Sequence, residues 1–136
     1  DPRAVASDGS GNLYILERNG NALRVVRPDG AIYTVAGTGR KGFLDGDALQ
    51  ARFGSPKHIC CDPGGNVYIA DDVNKAIRKY DPKTGRVSTV LGRGFGDPKI
   101  TLKRPHGVRW HDGRLYVVDT GHNRILRIPP DDPLDE

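Results

Sequence analysis

The stretch Ser55-Pro-Lys-His-Ile-Cys-Cys-Asp-Pro-Gly-Gly-Asn-Val-Tyr-Ile-Ala-Asp71 has two counterparts in the chain. They are Asp1-Pro-Arg-Ala-Val-Ala-Ser-Asp-Gly-Ser-Gly-Asn-Leu-Tyr-Ile-Leu-Glu17 and Arg104-Pro-His-Gly-Val-Arg-Trp-His-Asp-Gly-Arg-Leu-Tyr-Val-Val-Asp119. Each copy has proline second (Pro2, Pro56, Pro105), then an apolar strand, a glycine-bearing turn and a second strand. That second strand holds a tyrosine (Tyr14, Tyr68, Tyr116) and closes on an acid (Glu17, Asp71, Asp119). Self-similarity at a period near 50 residues is the signature of a repeat architecture.

Working outward, a turn follows each acid and then a third strand: Ala22-Leu-Arg-Val-Val-Arg27, Ala76-Ile-Arg-Lys-Tyr80 and Arg124-Ile-Leu-Arg-Ile128. The first two units add a fourth, Ala31-Ile-Tyr-Thr-Val-Ala36 and Arg86-Val-Ser-Thr-Val-Leu91, whereas the third reaches Pro129-Pro130 without one. Turns such as Asp8-Gly-Ser-Gly, Asp62-Pro-Gly-Gly and His111-Asp-Gly offer the positive-φ positions that tight hairpins need. Four short strands per unit, with Pro2, Pro56 and Pro105 spaced at 54 and 49 residues, predict β-propeller blades. The expected fold is all-β: two complete four-stranded antiparallel blades, about 1–54 and 55–104, and a three-stranded one, 105–136. Leu13, Ile15, Val67, Ile69, Leu115 and Val117 are expected in blade cores, with the three tyrosines in equivalent places.

Composition narrows the function classes. Mean hydropathy is −0.55, and no apolar run approaches the roughly 18 residues of a membrane span, so no membrane partner is expected. The chain begins at Asp1, has no Met and shows no basic-then-apolar leader, which fits a mature or excised fragment. Lys and Arg exceed Asp and Glu by 21 to 17 but are scattered, as on a solvated surface rather than a nucleic-acid footprint. Cys60 and Cys61 are adjacent, so on a strand they point to opposite faces and read as two buried thiols rather than a disulfide. Nothing here fixes a compartment.

The string Gly65-Asn-Val-Tyr-Ile-Ala-Asp71 followed by Asn74-Lys-Ala-Ile-Arg-Lys79 resembles the NHL repeat, as does Leu115-Tyr-Val-Val-Asp-Thr-Gly-His-Asn-Arg-Ile125. Residues Val35 to Pro56 resemble the blade-to-blade connection of large NHL proteins, with Ala51 and Phe53, matched by Leu102, anchoring it on the core. The resemblance implies a propeller that closes with about six blades. Three blades cannot close a ring, so the implied partners are a second or third copy of the chain, or further blades of a parent protein.

Function follows from the channel that such blades surround. The residue after each opening proline is Arg3, Lys57 or His106, a basic arc at one channel mouth suited to an anionic ligand or an acidic peptide. This favours a protein- or peptide-binding scaffold over catalysis. A second reading rests on Ser55-Pro-Lys-His-Ile and Arg104-Pro-His-Gly-Val, which are similar to segments of the peptidyl-α-hydroxyglycine lyase family. That resemblance implies zinc held by His58 and His106 and a metal-dependent lyase or hydrolase; the first unit has Asp1-Pro-Arg-Ala there, without a third histidine. A third reading is a purely structural propeller fragment with no ligand. Asp45-Gly-Asp47 resembles a piece of a calcium loop but lacks its downstream Glu. The repeated acids Glu17, Asp71 and Asp119 are expected to accept hydrogen bonds within their own turns. No cofactor is expected, with zinc or calcium as the alternatives.

Overall fold

Residues 1–128 are described by the structure, a computed structural model, so Pro129 and Pro130 lie outside the described residues. Three antiparallel sheets follow one another along the chain. The first runs in simple up-and-down order through β1 (Pro2–Ser7), β2 (Leu13–Glu17), β3 (Ala22–Val26) and β4 (Ile32–Ala36). The second contains β6 (His58–Cys61), β7 (Val67–Asp71), β8 (Ala76–Asp81) and β9 (Arg86–Leu91), and the third β10 (Pro105–His111), β11 (Arg114–Asp119) and β12 (Arg124–Ile128). The innermost strands β1, β6 and β10 lie side by side, β6 in the middle. That is the arrangement of blades around a channel.

The hairpin turns are built by the side chains read from the sequence. Asp8 Oδ1 accepts the Ser10 and Asn12 N–H groups, and Asp62 Oδ1 accepts those of Gly64 and Asn66. Asp62 Oδ2 also takes the Tyr68 hydroxyl at 3.0 Å. Each aspartate thereby replaces a backbone acceptor and fixes the register of the two strands it joins. The register is the same in all three blades: Tyr14 faces Ala6 and Val25, Tyr68 faces Cys60 and Lys79, and Tyr116 faces Arg109 and Arg127. The tyrosines are equivalent.

One strand count differs from expectation. Gly46–Asp47 forms a two-residue strand, β5, on the outer edge of β9, pairing Gly46 with Val87 and Asp47 with Arg86, so the second sheet has five strands. The cause lies in the connection itself. Asp45 is tied to Arg78 and Thr89, Gly46 takes φ +114°, and the chain is laid against an edge that would otherwise expose unpaired backbone groups. Among the described residues, helix is confined to two three-residue 3-10 turns, at Ala48–Gln50 and Thr120–His122.

Alternation along each strand sends one set of side chains toward the preceding blade and the other toward the following blade. Tyr14, Leu16, Leu23 and Val25 of the first blade pack on Ile59, Val67 and Ile69 of the second. Tyr68, Ala70, Ile77 and Leu91 of the second pack on Val108, Leu115 and Val117 of the third. Two of the six expected core residues depart from this. Leu13 is 37% exposed and Ile15 half-buried, although their counterparts Val67, Ile69, Leu115 and Val117 are buried. The reason is position: Leu13 and Ile15 face the side on which no described blade precedes the first.

The connections between blades are wedged into the same interfaces. Ala51 and Phe53 are fully buried in the first junction, and Ile100 and Leu102 are buried in the second. Ala51 and Ile100 stand five places before the opening proline, Phe53 and Leu102 three. The connection therefore carries a repeated pattern, apolar-x-apolar-x-x-Pro, with both apolar positions in the core.

Candidate functional site at the channel mouth

The inner strands begin at the end of the sheets where the second strands finish. Lys57 N–H donates to Ala70 O at 2.9 Å, which places the opening of β6 beside Asp71 and Asp72. Asp72 is 3% exposed, yet three basic side chains converge on it. Arg104 donates from Nε to Oδ1 at 3.1 Å and from a terminal nitrogen to Oδ2 at 3.2 Å. Lys57 Nζ stands 3.8 Å from Oδ2 and His106 Nε2 3.3 Å from Oδ1. The carboxylate raises the Arg104 guanidinium pKa above its ordinary value by the hydrogen bonds and by its charge. His106 Nε2 is buried and, despite its proximity to Asp72, has no hydrogen-bond geometry with it.

Of the three residues expected to line the mouth, Lys57 and His106 are thus brought together, with Asp72 between them. Arg3 stands exposed at the start of β1 and takes no part in the cluster around Asp72. Beside the mouth runs a groove of about 390 Å³ whose walls come from all three inner strands, with Val5 and Ser7, His58 and Cys61, Val108 and Trp110 among its lining.

His58 belongs to this groove rather than to the Asp72 cluster. Its Nδ1 accepts the Val108 N–H at 3.2 Å across the second junction. Burial, with Arg109 nearby, pulls its pKa below the ordinary histidine value. The two histidines implied as zinc ligands therefore have one ring nitrogen each turned to a different neighbour. Among the described residues no group of three or more His, Cys, Asp or Glu side chains is placed to hold a metal ion. The calcium-like residues are also committed elsewhere: Asp45 to Arg78 and Thr89, and Asp47 Oδ1 to the Leu49 N–H that opens a 3-10 turn. Burial raises the thiol pKa of Cys60 to about 12 and of Cys61 to about 11, so neither is poised as a nucleophile.

The repeated acids support this end of the molecule. Asp71, fully buried, accepts from Gly54 N at 2.7 Å, Asn74 Nδ2 at 2.8 Å and Arg78 at 2.8 Å. Asp119 accepts from the Lys103 and Arg104 N–H groups at 3.1 and 3.0 Å, pairs with His122 Nδ1 at 2.6 Å, and takes Arg124 Nε at 3.2 Å. Glu17 holds the N-terminal amino group at 3.1 Å. Each acid thus ties the segment just before its opening proline to the end of its own second strand, and so positions the channel-mouth residues.

Comparison with known proteins agrees with this architecture. No protein-family model matches the chain. Over 90% of its length it is 29% identical to NHL repeat-containing protein 2 of Bos taurus, covering 19% of that protein. Over 64% of its length it is 35% identical to protein SUPPRESSOR OF QUENCHING 1, chloroplastic, of Arabidopsis thaliana, covering 9% of it. Among solved structures, a protein of unknown function from Bacteroides thetaiotaomicron superposes on 87% of the chain with a TM-score of 0.76 and 26% identity, the match covering 32% of that protein. The blades are similar to those of NHL repeat-containing proteins. The chain spans about a fifth or less of the length of these two curated relatives.

The NHL repeat makes clear why two members of the site escaped sequence reading. Asp72 aligns with Arg18 and Thr120, and Arg104 with Asp1 and Ser55, so neither position repeats its chemistry. The available signal was opposite charge at sites that the repeat brings together, Asp72 after one acid and Arg104 before the next proline. For His58, the sign of its shift sets a pH dependence. A folded-state pKa below the unfolded 6.5 means that the unfolded chain binds the extra proton first, so stability falls as pH drops through that window. Thermal melts between pH 7 and 5 are expected to show this slope, no steeper than about 1.4 kcal/mol per pH unit for one proton, and His58→Gln is expected to flatten it.

Proposed function

We propose that this chain supplies NHL-type blades to a propeller that works as a protein- or peptide-binding scaffold and receives an acidic ligand at the channel mouth. The observation that carries the reading is the convergence of Lys57, Arg104 and His106 on the single buried carboxylate of Asp72. Lys57 and Arg104 alone exceed its charge, and the cluster stands beside a groove walled by all three inner strands. Exposed Arg3 adds a further cation at the start of the neighbouring inner strand. Positive charge gathered at a cleft focuses its field on anions and speeds their capture. The ring is closed by other blades or by further copies of the chain, because both outward-facing sheet surfaces carry exposed apolar residues: Val5 and Leu13 at one end, Val118 and Ile125 at the other.

Titration with a hexaglutamate peptide tests the ligand reading. Binding that weakens with salt is expected, and a Lys57→Ala, His106→Ala double variant is expected to weaken it about tenfold, or ~1.4 kcal/mol. Equal affinity in the double variant, with an unchanged thermal midpoint, rejects the channel mouth as the site.

A further inference from the structure

The turn after each blade acid has the same frame in all three blades. An N–H returns to a carbonyl three residues back, from Asn21 to Arg18, Lys75 to Asp72 and Asn123 to Thr120, at 3.3, 3.0 and 3.1 Å. Asn21, Lys75 and Asn123 are all left-handed, at φ 48°, 54° and 54°. The residue before them differs. Asn74 and His122 stand there in the second and third blades and pin the turn to the acid, Nδ2 to Asp71 at 2.8 Å and Nδ1 to Asp119 at 2.6 Å. The first blade has Gly20, where a Cβ would meet the Glu17 Cβ at 3.0 Å. This turn therefore lacks the side-chain pin, and the residue before Gly20 is Asn19, which is exposed. Among the described residues neither the Asn19 carboxamide nor the Gly20 N–H has a hydrogen-bond partner.

We propose that Asn19 is a site of spontaneous deamidation and isoaspartate formation, a modification that loosens the first blade junction. The Gly20 nitrogen, giving its proton to solvent base, attacks Asn19 Cγ; ammonia leaves and a cyclic succinimide remains. Water then opens the ring at either carbonyl, giving aspartate or, with the chain routed through the former side chain, isoaspartate. With no Cβ on the following residue, nothing crowds the attacking nitrogen. The other asparagines are followed by Leu13, Ala22, Val67, Lys75 and Arg124. Asn12, Asn66 and Asn74 are also held through Nδ2 by Asp8, Asp62 and Asp71. Flanking blades leave this position accessible: Val73, the counterpart of Asn19, is 49% exposed with a blade on either side.

The same turn carries the clamp on the first connection. Asn21 Oδ1 accepts the Ser55 N–H at 2.8 Å, and Asn21 Nδ2 donates to Asn19 O at 3.2 Å. Isoaspartate adds a methylene to the backbone between Asn19 and Gly20, which shifts Asn21 relative to Ser55. Ser55 precedes Pro56 and Lys57, so the modification frees the segment that leads into the second inner strand.

The test incubates the whole chain at pH 8.5, beside a synthetic peptide of residues 15–24, and maps both by mass spectrometry. Asn19 is expected to convert from amide to acid at least about tenfold faster than any other asparagine, and to elute as separate aspartate and isoaspartate forms. In the isoaspartate chain the Ser55 amide is expected to exchange with solvent about tenfold faster, the loss of one hydrogen bond. Asn19→Gln, whose longer side chain must close a larger ring, is expected to keep both its mass and the Ser55 protection. Conversion about a hundredfold slower in the chain than in the peptide means that the fold holds the turn away from attack, and overturns the proposal. So does faster conversion at another asparagine, or an isoaspartate chain with unchanged exchange at Ser55.

Discussion

Replacing Arg78 by methionine is expected to destabilise the protein by about 3–5 kcal/mol, the cost of stranding one partner of a buried ion pair. Arg78 is fully buried. Its guanidinium donates to Asp45, Asp71, Leu44 O and Arg52 O at 2.7 to 3.1 Å. It also lies over the rings of Phe43 and Phe53, at 4.6 and 5.0 Å from their centroids. One side chain therefore fastens the first connection to the core of the second blade. Methionine keeps most of the volume but leaves Asp71 with only Gly54 N and Asn74 as donors. Burial already raises the Asp71 pKa, against the pull of those donors and of Arg78. Without Arg78 it rises further, and a raised folded-state pKa makes ionisation cost stability as pH climbs above the carboxylate range. Urea unfolding should accordingly show a larger loss at pH 7 than at pH 4. Arg78→Lys is expected to recover less than half of the loss, because an ammonium is a compact point charge and cannot span this fork of acceptors. A loss below 1 kcal/mol at pH 7 contradicts the assignment.

Truncating Phe53 to alanine is expected to cost about 3–5 kcal/mol, and truncating Leu102 about 2–5 kcal/mol, the range for large-to-small changes in a packed core. Both are the third residue before an opening proline and both are buried between two blades. The loss is the transfer energy of the removed atoms plus the cavity that stiff sheets on either side cannot collapse to fill. Phe53→Ala carries an added penalty, since the ring also covers the Arg78 guanidinium. The two residues belong to different junctions, so the double variant is expected to lose the sum of the single losses within about 0.5 kcal/mol. Thermal and urea unfolding of the four proteins checks this. A large departure from additivity means that the two junctions are energetically coupled.

Fold and junctions were legible because repetition multiplies weak local signals. A single Gly-Asn-Val-Tyr-Ile string is an ambiguous short strand, but three copies in step fix period, register and face together, and the tyrosines, the acids and Phe53 with Leu102 fell where that logic put them. The channel mouth was half legible. Lys57 and His106 were visible as residues following an opening proline; Asp72 and Arg104, which draw them together, were not, because they belong to neighbouring units and repeat in neither.

What the sequence by itself determined is therefore the blade: its strands, turns, tyrosine register and the apolar anchors Ala51 and Phe53 before Pro56 and Leu102 before Pro105, all set by interactions within about 50 residues of chain. Tertiary structure alone decided which copies of that pattern are buried. Leu13 and Val67 occupy the same place in the repeat, as do Ile125 and Ile77, yet Leu13 and Ile125 are exposed and Val67 and Ile77 are not. A blade side chain is buried by the blade next to it, not by its own sheet, so its environment depends on a neighbour that the local sequence cannot specify. Ion pairing follows the same rule, since the field at Asp72 is made by side chains 15 residues before it and more than 30 after it.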